Sequence, residues 1–85
     1  MIVKLNRNQY DYLDYSLSEQ QPDLKLKLQN RKEDKFVFVE VDEDVADEIR
    51  DWAGEELQKK GFDLDYELTS EGKILEELID AFYVE

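Results

Sequence analysis

The sequence predicts a single α+β domain over residues 1–85, with helices packed mainly on one face of a small sheet. Two kinds of apolar periodicity indicate this class. In residues 42–61 and 70–82, apolar side chains recur at the spacing of one helix face. In residues 24–28 and 35–41, they alternate or run together, which is typical of strands. The segment order predicts β-α-β-β-α-(β)-α, with residues 62–68 as either a fourth strand or an extended segment.

The chain is expected to begin with a strand at residues 2–5 and a helix from about residue 7 to residue 19. Asn6 and Gln9 have the spacing of a capping box, in which each side chain accepts a hydrogen bond from the other residue's backbone. Tyr10, Leu13 and Leu17 then share one side of the helix. Pro22 ends the segment, because a residue that precedes proline disfavours the helical conformation.

Residues 24–41 predict an antiparallel hairpin. Leu24, Leu26 and Leu28 alternate with lysines, which indicates a half-buried strand, and residues 29–34 are a polar turn. Residues 35–41 have apolar side chains on both faces, so this segment should be the central strand. If the first strand lies on its other side, the strand order is 2-3-1. The sequence leaves open which sheet face the helices cover.

The second half of the chain predicts a long helix over residues 42–61, with Asp42 or Asp44 as its N-cap. Gly61 fits a left-handed position at its C-terminus. The buried face would comprise Val45, Ala46, Ile49, Trp52, Ala53 and Leu57. In residues 62–68, the alternation predicts that Phe62, Leu64, Tyr66 and Leu68 point inward. Thr69 or Ser70 would cap a last helix, whose buried face is Ile74, Leu75, Leu78, Ile79 and Phe82.

The net charge is −12, and it is unevenly distributed. Residues 1–41 are neutral, with seven basic and seven acidic side chains, so the whole excess lies in residues 42–85. Such a field attracts basic surfaces and repels phosphate and anionic lipid, so direct binding to nucleic acid or to a membrane is not expected. On the outer side of the long helix, five carboxylates share one arc: Asp44, Asp47, Glu48, Asp51 and Glu55.

The residue types that carry most catalysis are missing. The chain has no histidine and no cysteine, so it lacks both a base tuned near neutral pH and a thiolate. Paired carboxylates could serve glycoside hydrolysis, but 85 residues leave little room for a sugar-binding cleft. Acids alternate in residues 63–71 as in a calcium loop, but Leu68 replaces the required glycine and Ile74 the closing carboxylate. We therefore predict no enzyme activity, no metal and no cofactor.

Two interpretations of the acidic helix remain. Its face either only solubilises the protein or docks on a basic partner, with Tyr12 and Tyr15 as aromatic anchors. In size, charge and lack of catalytic groups, the chain is similar to bacterial immunity proteins and antitoxins, which bind a basic nuclease or other toxin and block it. The resemblance implies a non-catalytic inhibitor of a basic protein.

The alternative prediction is a small structural subunit or homodimer that uses an apolar sheet face, Phe36/Phe38 or Val37/Val39, with the acidic face only solubilising. The sequence does not distinguish a monomer from a homodimer. It has no long apolar run and no signal-peptide core at its N-terminus, so a cytoplasmic location is expected.

Overall fold

The structure is a computed structural model that describes residues 1–83, and it confirms the α+β class. Within these residues the chain forms three strands and four helices. In order they are β1 (Ile2–Asn6), α1 (Arg7–Gln20), α2 (Pro22–Leu26), β2 (Gln29–Lys32), β3 (Phe36–Glu40), α3 (Glu43–Lys60) and α4 (Ser70–Ala81).

The sheet has the predicted order, with β3 between β1 and β2. Both outer strands are antiparallel to β3, so they run parallel to each other. Val37 and Val39 are fully buried and join the apolar faces of the helices in one core. Phe36 and Phe38 lie on the opposite face, which no described helix covers. Phe36 keeps 37% of its surface exposed.

Side-chain caps fix where three helices begin. Asn6 and Gln9 form the predicted capping box, with N–O distances of 2.8 and 2.9 Å. Asp42 accepts a hydrogen bond from the Val45 N–H at the start of α3. Thr69 accepts one from the Gly72 N–H at the start of α4. Each cap satisfies a backbone donor that the first helical turn leaves unpaired.

The predicted strand at residues 24–28 is wrong, because most of this segment is the short helix α2. Pro22 occupies the first turn, where its fixed φ suits a helix and its missing N–H costs nothing. Leu24 is buried and Leu26 is 83% exposed, whereas a half-buried strand would point both inward. The second strand instead uses polar residues 29–32, which were predicted as a turn. All four are exposed, because β2 is an edge strand.

Residues 62–68 form a closed, exposed loop rather than a fourth strand. A single antiparallel bridge joins Phe62 to Leu68 at its base. The prediction of inward side chains is also wrong, because Leu64 is 99% exposed and Tyr66 is 88% exposed. An alternation of apolar and acidic residues therefore does not mark a buried face here.

Two glycines, Gly61 and Gly72, lie where the end of α3 meets the start of α4. A Cβ built on Gly72 would lie 2.2 Å from the carbonyl oxygen of Gly61. Gly61 has φ −77°, so the predicted left-handed conformation is wrong. At Gly72, close contact between the start of α4 and the end of α3 therefore requires a small residue. At Gly61, an added Cβ would instead meet Leu57 of the preceding helical turn.

Candidate protein-binding cleft

The acidic face of α3 is solvent-exposed along its whole length. The helix buries most of the apolar stripe predicted from its periodicity, with Ile49 and Ala53 fully buried, while Leu57 at the end of the stripe is half-buried. Trp52 is 6% exposed. The five predicted carboxylates therefore lie on the opposite, exposed side: Asp44, Asp47, Glu48, Asp51 and Glu55.

A cleft of about 350 Å³ lies between α2 and α3, along one edge of this acidic face. Three of the five predicted carboxylates line it, namely Glu48, Asp51 and Glu55. Asp44 and Asp47 are not part of its lining. The α2 side contributes Gln21, Asp23, Leu24 and Lys27, and Trp52 comes from α3.

The apolar part of the lining is held in place by burial and one hydrogen bond. Leu24 is 7% exposed and Trp52 is 6% exposed, and both belong to the main core. The Trp52 Nε1–H donates to Gln20 Oε1 at 3.1 Å. The indole thus has a fixed orientation, and its one polar atom is already satisfied within the fold.

The charges around the cleft are unbalanced. Lys27 Nζ lies 3.9 Å from a Glu48 carboxylate oxygen and is the one basic side chain in the lining. Among residues 1–83, no basic nitrogen lies within 4.0 Å of the Asp23, Asp51 or Glu55 carboxylate. Four exposed carboxylates against one lysine leave the opening strongly negative.

The other two acids of the predicted face differ in their partners. Asp47 pairs with Arg50 on the same helix. Asp44, near the start of α3, has no basic nitrogen within 4.0 Å among the described residues. Its charge also lies at the positive end of the helix dipole, which accounts for its position without a partner.

Neither predicted tyrosine lines the cleft. Tyr15 is 70% exposed on α1. Tyr12 is half-buried against the core, and its hydroxyl donates to Glu71 Oε2 at 3.5 Å. Burial, assisted by the nearby Glu71 carboxylate, raises the pKa of the Tyr12 phenol above its ordinary value. Tyr12 therefore contributes to packing between α1 and α4, and of these two tyrosines only Tyr15 is largely exposed.

One carboxylate of α3 is buried rather than offered to solvent. Glu56 is 5% exposed, and its Oε2 lies 3.3 Å from Lys60 Nζ one turn along the helix. The neighbouring Glu56 carboxylate raises the pKa of the Lys60 ammonium above its ordinary value. Glu56 is thus committed to an intramolecular ion pair and is not part of the exposed acidic face.

The α2 side of the cleft was not predicted from the sequence, because residues 24–28 were interpreted as a strand and no helix was expected to begin at Pro22. The signal that could have revealed it is Pro22 followed by Asp23. Proline in the first turn and an acid beside the helix dipole are both typical of a helix start. With that helix in place, Leu24 turns to the core and Asp23 lines the opening.

The arrangement is suited to binding an organic cation. Carboxylates can hold an ammonium or guanidinium group, while Leu24 and Trp52 offer an apolar surface to the chain that carries it. No group of three potential metal-ligating residues occurs within residues 1–83. In the same part of the chain, no helix is both long and apolar enough to cross a membrane. Comparisons with protein-family models, curated proteins and solved structures find no match to this chain.

Proposed function

We propose that this chain is a non-catalytic binding protein that takes a lysine or arginine side chain of a basic partner protein into the cleft between α2 and α3. The main supporting observation is the cleft lining, which combines four exposed carboxylates with the apolar edges of Leu24 and Trp52. Surface acids that only confer solubility need no such apolar neighbour.

Both parts of a basic side chain have a counterpart in the cleft. The methylene stem of lysine or arginine can lie against Leu24 and Trp52, and the cation can reach the carboxylates at the rim. A cation near an indole gains a further attraction from the ring. The uncompensated charge at the opening also steers a basic protein toward the cleft before contact, which raises the association rate.

An immunity or antitoxin role is the most concrete form of this proposal. A toxin that acts on nucleic acid has a basic surface for phosphate. A small acidic protein that occupies this surface blocks the substrate both sterically and electrostatically. The net charge of −12 and its confinement to residues 42–85 suit such a contact.

A hydrolytic role for the same carboxylates is less well supported. The general acid of a glycoside hydrolase is ordinarily placed in a desolvated pocket. Asp23, Glu48, Asp51 and Glu55 are all exposed. The cleft therefore favours binding of a cation over protonation of a leaving group.

The test is capture of a partner from lysate of the source cells, followed by titration of the purified partner. Trp52 is the one tryptophan of the chain, so its fluorescence reports on the cleft without a label. We expect a basic partner that changes Trp52 emission on binding and dissociates readily at about 0.5 M salt, where exposed charges are screened. A neutral or acidic partner, or a complex indifferent to salt, would contradict the proposal.

A further inference from the structure

The loop at residues 62–68 exposes large apolar side chains on an ordered support. Leu64 and Tyr66 are 99% and 88% exposed. The Tyr66 N–H donates to the Asp63 carbonyl at 3.0 Å, and the Asp63 N–H donates to the Glu67 carbonyl at 2.9 Å. Asp63 Oδ1 also accepts from the N–H groups of Asp65 and Glu67, at 2.8 and 3.0 Å. The loop is therefore fixed by its own hydrogen bonds while its apolar side chains contact solvent.

Tyr66 adopts a backbone conformation that few side chains tolerate. Its φ is 61°, and it is the one non-glycine residue with positive φ in residues 1–83. A bulky residue in this region is strained, and strain of this kind concentrates at functional sites. Residues 65–67 thus present an aromatic side chain between two exposed acids, Asp65 and Glu67.

The open sheet face presents the complementary pattern. The strand register aligns Lys4 of β1 and Arg31 of β2 on either side of Phe38 of β3. This row places an aromatic side chain between two basic residues, with the Arg31 guanidinium 5.4 Å from the Phe38 ring centroid. The Lys4 ammonium lies 4.0 Å from the centroid of the neighbouring Phe36 ring. Arg31 Nε also lies 3.2 Å from a carboxylate oxygen of Glu33, an exposed ion pair that an incoming carboxylate would have to share or replace. Depressions of about 220 and 370 Å³ adjoin Phe38 on the same face.

We propose that the loop of one copy docks on the open sheet face of a second copy of this chain. Tyr66 would contact Phe38, and Asp65 and Glu67 would pair with Lys4 and Arg31. The three loop residues 65–67 would then match the three-residue row on the sheet, with the aromatic side chains in contact at the centre and opposite charges on either side. Since one chain carries both patterns, a second copy supplies the matching surface without any other protein. The contact is small, so the expected dissociation constant is on the order of 100 µM.

The test is sedimentation equilibrium of the wild-type protein up to about 1 mM, in about 0.3 M NaCl so that repulsion between the acidic chains is screened. We expect association of the wild type. Leu64→Ser with Tyr66→Asn should weaken association about tenfold or more. Asparagine tolerates the left-handed conformation, so this variant should fold. The matched control is Leu26→Ser, which removes another leucine that is 83% exposed and should leave association unchanged.

Charge exchange tests the pairing itself. Lys4→Glu with Arg31→Glu, and separately Asp65→Lys with Glu67→Lys, should each abolish self-association. A mixture of the two variants should associate, because the unchanged acidic loop of the sheet variant still matches the unchanged basic sheet of the loop variant, and the exchanged pair matches as well. A wild type that is monomeric throughout, association unaffected by these changes, or a mixture that stays monomeric would each overturn the inference. Circular dichroism and thermal unfolding verify that every variant is folded.

Discussion

At the scale of single residues, Tyr66 shows a local conflict between backbone and side chain. Its left-handed backbone is required by the turn from Asp63, where the Tyr66 N–H meets the Asp63 carbonyl. Its ring is 88% exposed and so gains little from burial. Nothing within the folded chain therefore offsets the strain of placing a bulky residue at this position.

Tyr66→Asn should accordingly stabilise the folded protein by about 0.5–1 kcal/mol, since asparagine adopts the left-handed conformation at lower cost. Urea unfolding at a concentration where the protein is monomeric measures the change. Tyr66→Phe is the matched control, because it keeps the strain and should leave the midpoint unchanged. A Tyr66→Asn protein that is less stable than the wild type would contradict this explanation of the turn.

Tyr12 predicts a pH dependence of stability. Burial, with the Glu71 carboxylate, raises the pKa of the phenol in the folded state above the ordinary 10.0. The unfolded chain therefore loses this proton first as the pH rises. The resulting stability is fully present below about pH 10 and is lost as the pH rises through the folded-state pKa. The shifts of Tyr10 and Lys60 act in the same direction.

Tyr12→Phe should consequently lose less stability than the wild type between about pH 9 and 11. Denaturant unfolding across this range provides the comparison. Tyr15→Phe, which removes an exposed phenol from the same helix, serves as the control. If the free energy of unfolding falls with pH in the same way for the wild type and Tyr12→Phe, the phenol does not contribute to the loss of stability at alkaline pH.

Single residues could be predicted from the sequence where one local interaction decides their role. Asn6, Asp42 and Thr69 were identified as caps or as one of two candidates, because a cap depends on a few neighbouring backbone donors. Leu64 and Tyr66 could not be predicted, because their exposure depends on a turn centred on Asp63 that alternation does not reveal.

At the scale of elements, the helices α3 and α4 followed from periodicity and the α2–β2 segment did not. Each long helix has enough residues for an apolar stripe to be unambiguous. Three alternating leucines over five residues suit either a strand or a short helix. The edge strand β2 has no apolar side chain at all, so it leaves no periodic signal.

The contact between α3 and α4 gives a prediction about glycine. Gly72→Ala should lower the free energy of unfolding by about 1–3 kcal/mol, because its Cβ would meet the Gly61 backbone of α3. Gly54→Ala in α3 should raise it by about 0.4–1 kcal/mol, since its Cβ would meet no atom within 4 Å and alanine favours the helix. Urea unfolding of both variants measures the contrast. Equal stability of the Gly72→Ala protein and the wild type would contradict the observed packing.

At the scale of the whole molecule, the division of charge and the strand order were predictable, whereas the cleft was not. Counting charges locates the acidic excess in residues 42–85 without any knowledge of the fold. The cleft requires α2 to lie beside α3, an arrangement of the tertiary fold that the predicted strand at residues 24–28 did not allow for. Three of its four acids were therefore predicted from the α3 face, and Asp23 was missed.

The central proposal is that the position of the acids, and not only their number, determines binding. Two triple variants separate these effects. One reverses the cleft acids, by Glu48→Lys, Asp51→Lys and Glu55→Lys. The other reverses exposed acids on α1 and α4, by Asp11→Lys, Glu19→Lys and Glu76→Lys. Each replacement of an acid by lysine raises the net charge by two, so both triple variants have a net charge of −6 instead of −12.

The decisive measurement is the dissociation constant of the captured partner for these two variants, by calorimetry at about 0.15 M salt. We predict that the cleft variant loses about 100-fold or more in affinity, while the control stays within about threefold of the wild type. Equal affinities for the two variants would contradict the proposal, because binding would then depend on net charge alone.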